Sequence, residues 1–162
     1  MASWDFGKKE TREHLISMFP EGSTCLDVGA CDGKWSNILG AHFKMYAIEA
    51  FKQNADAIQH KYIKVFNEEI QNFQYDWYDC IVMGDVIEHL SVKDAQYTIK
   101  YAYNRCKELV IAVPYFLPQG AIYGNPYEEH KQPELSHLLF MERYPGFKVL
   151  LKGDRYGCYI KE

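Results

Sequence analysis

The sequence predicts an α/β domain whose doubly wound, mostly parallel seven-stranded sheet closes with an antiparallel C-terminal hairpin. Three observations carry this expectation. Five short apolar runs alternate with helical stretches between Thr24 and Val113, the order that builds a parallel sheet through right-handed crossovers. The fourth and fifth runs are nearly continuous apolar sequence, as in strands covered on both faces. The last two runs are separated only by Lys152-Gly153-Asp154-Arg155, which is hairpin grammar.

Taken in order, Lys8 to Phe19 reads as a leading helix, with Leu15, Ile16, Met18 and Phe19 as its apolar residues and Pro20-Glu21-Gly22 as its stop. Thr24 to Gly29 is the first strand. After a glycine-containing turn a helix starts at Lys34 and runs to Leu39. The second strand is Lys44 to Glu49, followed by helix from Phe51 to about Lys61, and the third strand is Tyr62 to Phe66. Tyr78 to Met83 forms the fourth strand. Helix is expected from Val92 to Cys106, where Ala95, Ile99, Ala102 and Cys106 fall near helical spacing. Leu109 to Val113 is the fifth strand, ended by Pro114. Residues 117–132, rich in Pro, Gly, Tyr and charge, have no periodicity and form a candidate substrate loop. A helix from about Pro133 to Tyr144 precedes the hairpin strands Phe147 to Leu151 and Tyr156 to Ile160.

With 162 residues, a single domain over 1–162 is the natural organisation, its leading segment being 1–22. No apolar run is long enough to span a bilayer, and the start Met1-Ala2-Ser3-Trp4-Asp5-Phe6 has no secretory character, so a cytoplasmic protein is expected. Five cysteines without a C-x-x-C pair argue against a disulfide framework or zinc ribbon, and no metal is expected. The net charge of −4, without a basic block, disfavours nucleic acid as a partner.

Three segments carry chemistry. Leu26-Asp27-Val28-Gly29-Ala30-Cys31-Asp32-Gly33 lies at a strand end and helix start, where glycines let a ligand approach backbone closely; alone, it could equally be a tight turn with a polar cap. Glu49, twenty positions after Gly29, ends the second strand, where a carboxylate can accept both hydroxyls of a ribose; a solvated carboxylate is the plainer alternative. Gly84-Asp85-Val86-Ile87-Glu88-His89-Leu90 follows the fourth strand and could meet a ligand, although Glu88 and His89 also fit a helix-start acid and a packed histidine.

In this order and spacing the three segments resemble the class I S-adenosylmethionine-dependent methyltransferases, especially the small-molecule branch, over about Thr24 to Val113. The resemblance implies a Rossmann-like fold and S-adenosylmethionine as cofactor. The family's loop has the form acidic-x-Gly-x-Gly-x-Gly; Asp27, Gly29 and Gly33 match it, and Cys31 stands at the middle glycine. By the same resemblance Ala30, Asp32 and Ala50 join the cofactor site, Glu49 holds the ribose, and Glu69 beside Ile70, with Glu68 as competitor, meets the adenine. Gly84, Asp85 and Val86 would lie by the methionine moiety. A dinucleotide reading is weaker, because Gly29 and Gly33 do not make G-x-G-x-x-G.

Transfer from a sulfonium chiefly requires aligning the acceptor and excluding water. For an acceptor that must lose a proton, His130, His89 and Tyr115 are the candidate bases, His130 first; an exposed loop histidine is its alternative. The place after the fourth strand lacks the Asn/Asp-Pro-Pro-Tyr segment of nucleic-acid amino-methyltransferases, which favours a small-molecule acceptor. A homodimer is compatible with this reading. The competing hypothesis is a non-catalytic module that binds S-adenosylmethionine or S-adenosylhomocysteine to regulate a partner.

Overall fold

The computed structural model describes residues 5–162, so the first four residues of the expected leading segment lie outside the described residues. The chain runs α1 (Lys8–Met18), β1 (Thr24–Val28), α2 (Lys34–Leu39), β2 (Lys44–Ile48), α3 (Lys52–Ala57), β3 (Lys64–Phe66), β4 (Tyr78–Gly84), α4 (Val92–Tyr103), β5 (Cys106–Pro114), α5 (His137–Arg143), β6 (Lys148–Lys152) and β7 (Tyr156–Lys161). The strands form one seven-stranded sheet in the order β3-β2-β1-β4-β5-β7-β6. The first five pair in parallel, whereas β7 lies antiparallel to both β5 and β6. The α/β expectation with a closing hairpin therefore holds.

Alternation along the strands divides the core in two, because successive side chains point to opposite faces. Leu26, Val28, Ile48, Ile81, Met83, Leu109 and Ile111 pack with Ala95, Ile99 and Ala102 of α4 and Phe140 of α5. Cys25, Met45, Ala47, Cys80, Val82 and Val110 pack on the other face with Leu15 of α1 and Trp35 and Leu39 of α2. Strand order reverses at β1, between β2 and β4. Val28 is in register with both Ile48 and Met83, so the loops after these three strands leave the sheet at one level. That is where an open α/β sheet builds a ligand crevice.

Several boundaries differ from those expected. Cys106 opens β5 instead of closing α4; the charged Lys107-Glu108 pair masked this extension, and Glu108 is buried there against Nε2 of His14 at 2.8 Å. The third strand is only Lys64–Phe66, and the helix before it divides into α3 and a 3-10 turn at Gln59–Lys61. The helix expected from Pro133 starts at His137, where the Ser136 hydroxyl accepts from the backbone N–H of Leu139. Between β3 and β4 residues 67–77 form no helix, and Ile70, Phe73 and Tyr75 cover the α4 side of the sheet instead.

Candidate functional site

A cavity of about 280 Å³ opens over the strand-order switch, walled by the loops after β1, β2 and β4 and by residues 117–131 beyond β5. The loop after β1 achieves its curl through left-handed backbone at Gly29 (φ 70°), Cys31 (φ 47°) and Gly33 (φ 77°). A side chain on Gly29 would press on Val86, and one on Gly33 would press on Lys61. Cys31 thus keeps a glycine-like conformation although it is not glycine. The backbone N–H groups of Gly29 and Ala30 both donate to the Ile48 carbonyl, tying the loop to β2.

Glu49 stands beside that loop, almost fully buried on the cavity wall. One of its carboxylate oxygens accepts from the Cys31 N–H and the other from the Phe51 N–H, each at 2.8 Å. Each oxygen has further lone-pair capacity, so the group can still receive two hydroxyls. Burial pushes its pKa up, opposed by the two backbone donors. Ala50, Glu69 and Ile70 line the same end, and Glu69 accepts from the Tyr127 hydroxyl at 3.0 Å.

The last residue of β4, Gly84, and the loop after it, through Asp85, Val86, Glu88 and His89, line the cavity. A side chain at Gly84 would collide with the Trp35 indole, so this glycine answers to packing as well as to the cavity. Asp85, at φ 57°, accepts from the Tyr156 hydroxyl at 2.6 Å through one oxygen, while its other oxygen is buried without a hydrogen-bond partner. Desolvation raises its pKa, against the hydrogen bond from Tyr156 and the charges of Lys8 and Lys34. Glu88 is 1% exposed and neither carboxylate oxygen is hydrogen-bonded; burial holds its pKa well above the usual range.

His130 is 9% exposed. Its Nδ1–H donates to the Leu117 carbonyl at 2.6 Å, and the His89 Nδ1–H donates to the Glu129 carbonyl at 3.2 Å, because a carbonyl can only accept. In each neutral ring Nε2 is therefore the nitrogen without a proton. Burial lowers both pKa values, that of His89 to about 4, so both are neutral near pH 7. The two rings meet edge to face at 4.6 Å between centroids.

The structure brings together Gly29, Ala30, Asp32, Glu49, Ala50, Glu69, Ile70, Gly84, Asp85, Val86, His89 and His130 on one cavity wall. Four expected residues lie elsewhere. Asp27 points to the α1/α2 face, where it accepts from the Tyr62 hydroxyl at 2.6 Å, and burial pushes its pKa up to about 7. Gly33 caps α2 beneath the loop, and Glu68 is not part of the wall. Tyr115 is buried with its hydroxyl bonded to that of Tyr159, away from the cavity, so it is not placed to act as a base there.

Sequence reasoning left out Trp35, Gln119, Asn125, Tyr127 and Glu128, which also line the cavity. Trp35 follows the glycine turn on α2 and had the position to be noticed. The others sit in a stretch without periodicity, and only the folded loop, with its 3-10 turn at Pro126–Glu128, shows which of them face inward. Lys8 was also unanticipated: its buried Nζ lies 4.4 Å from the centroid of the Trp35 ring.

A family model described as a methyltransferase domain matches residues 5–114. No curated protein matches. Among solved structures, an S-adenosylmethionine-dependent methyltransferase from Clostridium acetobutylicum superposes with TM-score 0.74 at 12% identity, covering 98% of this chain and 92% of its own. An amino pentose methyltransferase from Micromonospora echinaspora, with S-adenosylmethionine bound, gives TM-score 0.70 at 12% identity over 99% and 92%. A magnesium protoporphyrin IX methyltransferase from Synechocystis gives 0.64 at 13% over 100% and 86%. At these identities the likeness is one of fold.

Proposed function

This chain belongs to the methyltransferase-domain family, and from that premise we propose that it moves a methyl group from S-adenosylmethionine to a small-molecule acceptor held in the cavity over the switch point. The observation that carries the proposal is the Glu49 carboxylate, fixed by two backbone donors on the cavity wall beside a loop that is left-handed at three alternate positions.

The residues present fit such a cofactor. Glu49 retains acceptor capacity for the two ribose hydroxyls, and Ile70 with Glu69 offers an apolar surface and an acceptor for the adenine. The partnerless buried oxygen of Asp85 asks for a donor, which an amino-acid ammonium would provide. Glu49, Asp85 and Glu88 lie on one wall, where burial raises their pKa values and a bound positive charge would draw them back toward the ionised form. When bound, S-adenosylmethionine supplies a methyl carbon made electrophilic by its sulfonium.

The chain's own part is to orient and to exclude water. Residues 117–131 wall the cavity beside the loop after β4, and His89 and His130, each with Nδ1–H bonded to a carbonyl, are among its lining residues. The porphyrin and amino-pentose methyltransferases of like fold support the choice of a small-molecule acceptor. The absence of a basic block speaks against nucleic acid, and five free thiols suit a reducing, cytoplasmic setting.

Calorimetric titration with S-adenosylmethionine and S-adenosylhomocysteine tests the reading. Both are expected to bind, and Glu49→Ala is expected to weaken each by about ten- to a hundredfold through loss of charge-assisted bonds. No heat with either ligand, or unchanged affinity in a folded Glu49→Ala protein, would overturn it.

A further inference from the structure

We propose that Glu88, His89 and His130 form a site for one divalent transition-metal cation at the end of the cavity built by the loops after β4 and β5. Each of the three offers a donor atom, and these atoms all lie within 4.8 Å of one another. The Glu88 carboxylate and Nε2 of His89 are 3.9 Å apart, too far for a hydrogen bond and close enough for a shared ion. Ligands about 2.1 Å from one cation stand roughly 3 to 3.5 Å from each other, so small side-chain rotations would close the set.

Independent features point the same way. Glu88 is 1% exposed and both its oxygens are buried without a partner, an arrangement that is costly whether the group is charged or neutral. Both histidines use Nδ1–H on a backbone carbonyl, the second contact that orients a metal-binding imidazole and leaves Nε2 as the donor. The backbone holds the set in place: the N–H groups of Lys131 and Gln132 donate to the Glu88 carbonyl, and the His130 N–H donates to Gln119. His130, forty-one positions downstream, is thereby stitched to the loop that carries the other two.

Two imidazoles and one carboxylate suit a first-row transition ion, and three protein ligands leave positions open toward the cavity. A hydroxyl bound at such a position loses its proton to solvent more readily. The site therefore favours an oxygen nucleophile as acceptor, with the two histidines serving as ligands and not as bases. That last step rests on the methyl-transfer reading; the site itself does not.

Titration of the whole chain with Co²⁺, followed by visible absorption and calorimetry, tests it. One Co²⁺ per chain is expected, with ligand-field bands that Zn²⁺ abolishes. Glu88→Gln and His130→Ala should each weaken binding by about tenfold or more. His14→Ala, which alters a histidine paired with Glu108 outside the cavity, should leave it unchanged. No Co²⁺ bands at millimolar ion, or a His130→Ala protein that binds as the parent does, would overturn the proposal; should Glu88→Gln fail to fold, the loop variant decides alone. S-adenosylhomocysteine is titrated into the same samples. Binding of it without Co²⁺ binding sinks the metal site alone, whereas Co²⁺ binding without it supports the metal site and removes the methyl-transfer reading.

Discussion

Cys31 is the residue at which this chain departs most visibly from a glycine loop, and its backbone shows why the departure is tolerated. It sits at φ 47° and donates its N–H to Glu49, so the loop keeps the required geometry at the cost of holding an L side chain in the left-handed region. That cost is about 1 kcal/mol. Cys31→Gly should accordingly raise stability by up to about 1 kcal/mol, while Cys31→Val, branched at Cβ, should lower it by at least as much and weaken cofactor binding. Thermal denaturation of the two variants side by side checks the opposite signs. Glu49 was legible because strand, turn and acid recur at a spacing that can be read in one dimension. Asp27 looked equally eligible, yet it lies inside β1, turned to the α1/α2 face and bonded to Tyr62, whereas Glu49 stands just past the end of β2 at the cavity.

At the scale of elements, the strands with apolar runs declared themselves and those with charge did not. Lys107 and Glu108 concealed the start of β5, and the helix-free connection 67–77 has aromatic residues where a crossover helix would ordinarily show periodicity. The loop beyond β5 was recognisable as a loop, but its inward-facing residues were not, because they are selected by contacts with distant segments. Gln132 is the main such contact. Its amide donates to the carbonyls of Ile87 and Leu90 at 2.8 and 3.1 Å, and its carbonyl accepts from Arg143 and Tyr144 at 3.0 and 2.8 Å. Gln132→Ala strands buried partners on both sides and should cost about 3 kcal/mol in urea denaturation. The surface change Tyr97→Ala, on an exposed face of α4, should cost less than about 1 kcal/mol.

At the scale of the molecule, the order β3-β2-β1-β4-β5-β7-β6 places the proposed nucleoside end over β2 and β1 and the metal-ligand cluster over β4 and β5. The sheet's interior also stores a pH dependence. Asp27 titrates near 3.9 in an unfolded chain and at about 7 when folded, chiefly through desolvation. Its contribution is fully present below pH 4 and is lost as pH rises to 7, because the unfolded chain then gives up a proton that the folded one keeps; the difference is on the order of 4 kcal/mol. Asp27→Asn removes this pH dependence. The stability of the variant relative to the parent should therefore rise between pH 5 and pH 8 in urea denaturation, and a pH-independent difference would show that Asp27 is charged in the fold.

Tyr156, at the start of β7, reaches back to Asp85 across seventy-one positions of chain. Synthesis proceeds from the amino terminus, so on a ribosome the first five strands can be paired while Asp85 still lacks that phenol. A nascent chain released before residue 156 would carry every loop of the crevice and yet leave its acid uncapped, which makes the final hairpin the step that separates an assembled sheet from a finished pocket.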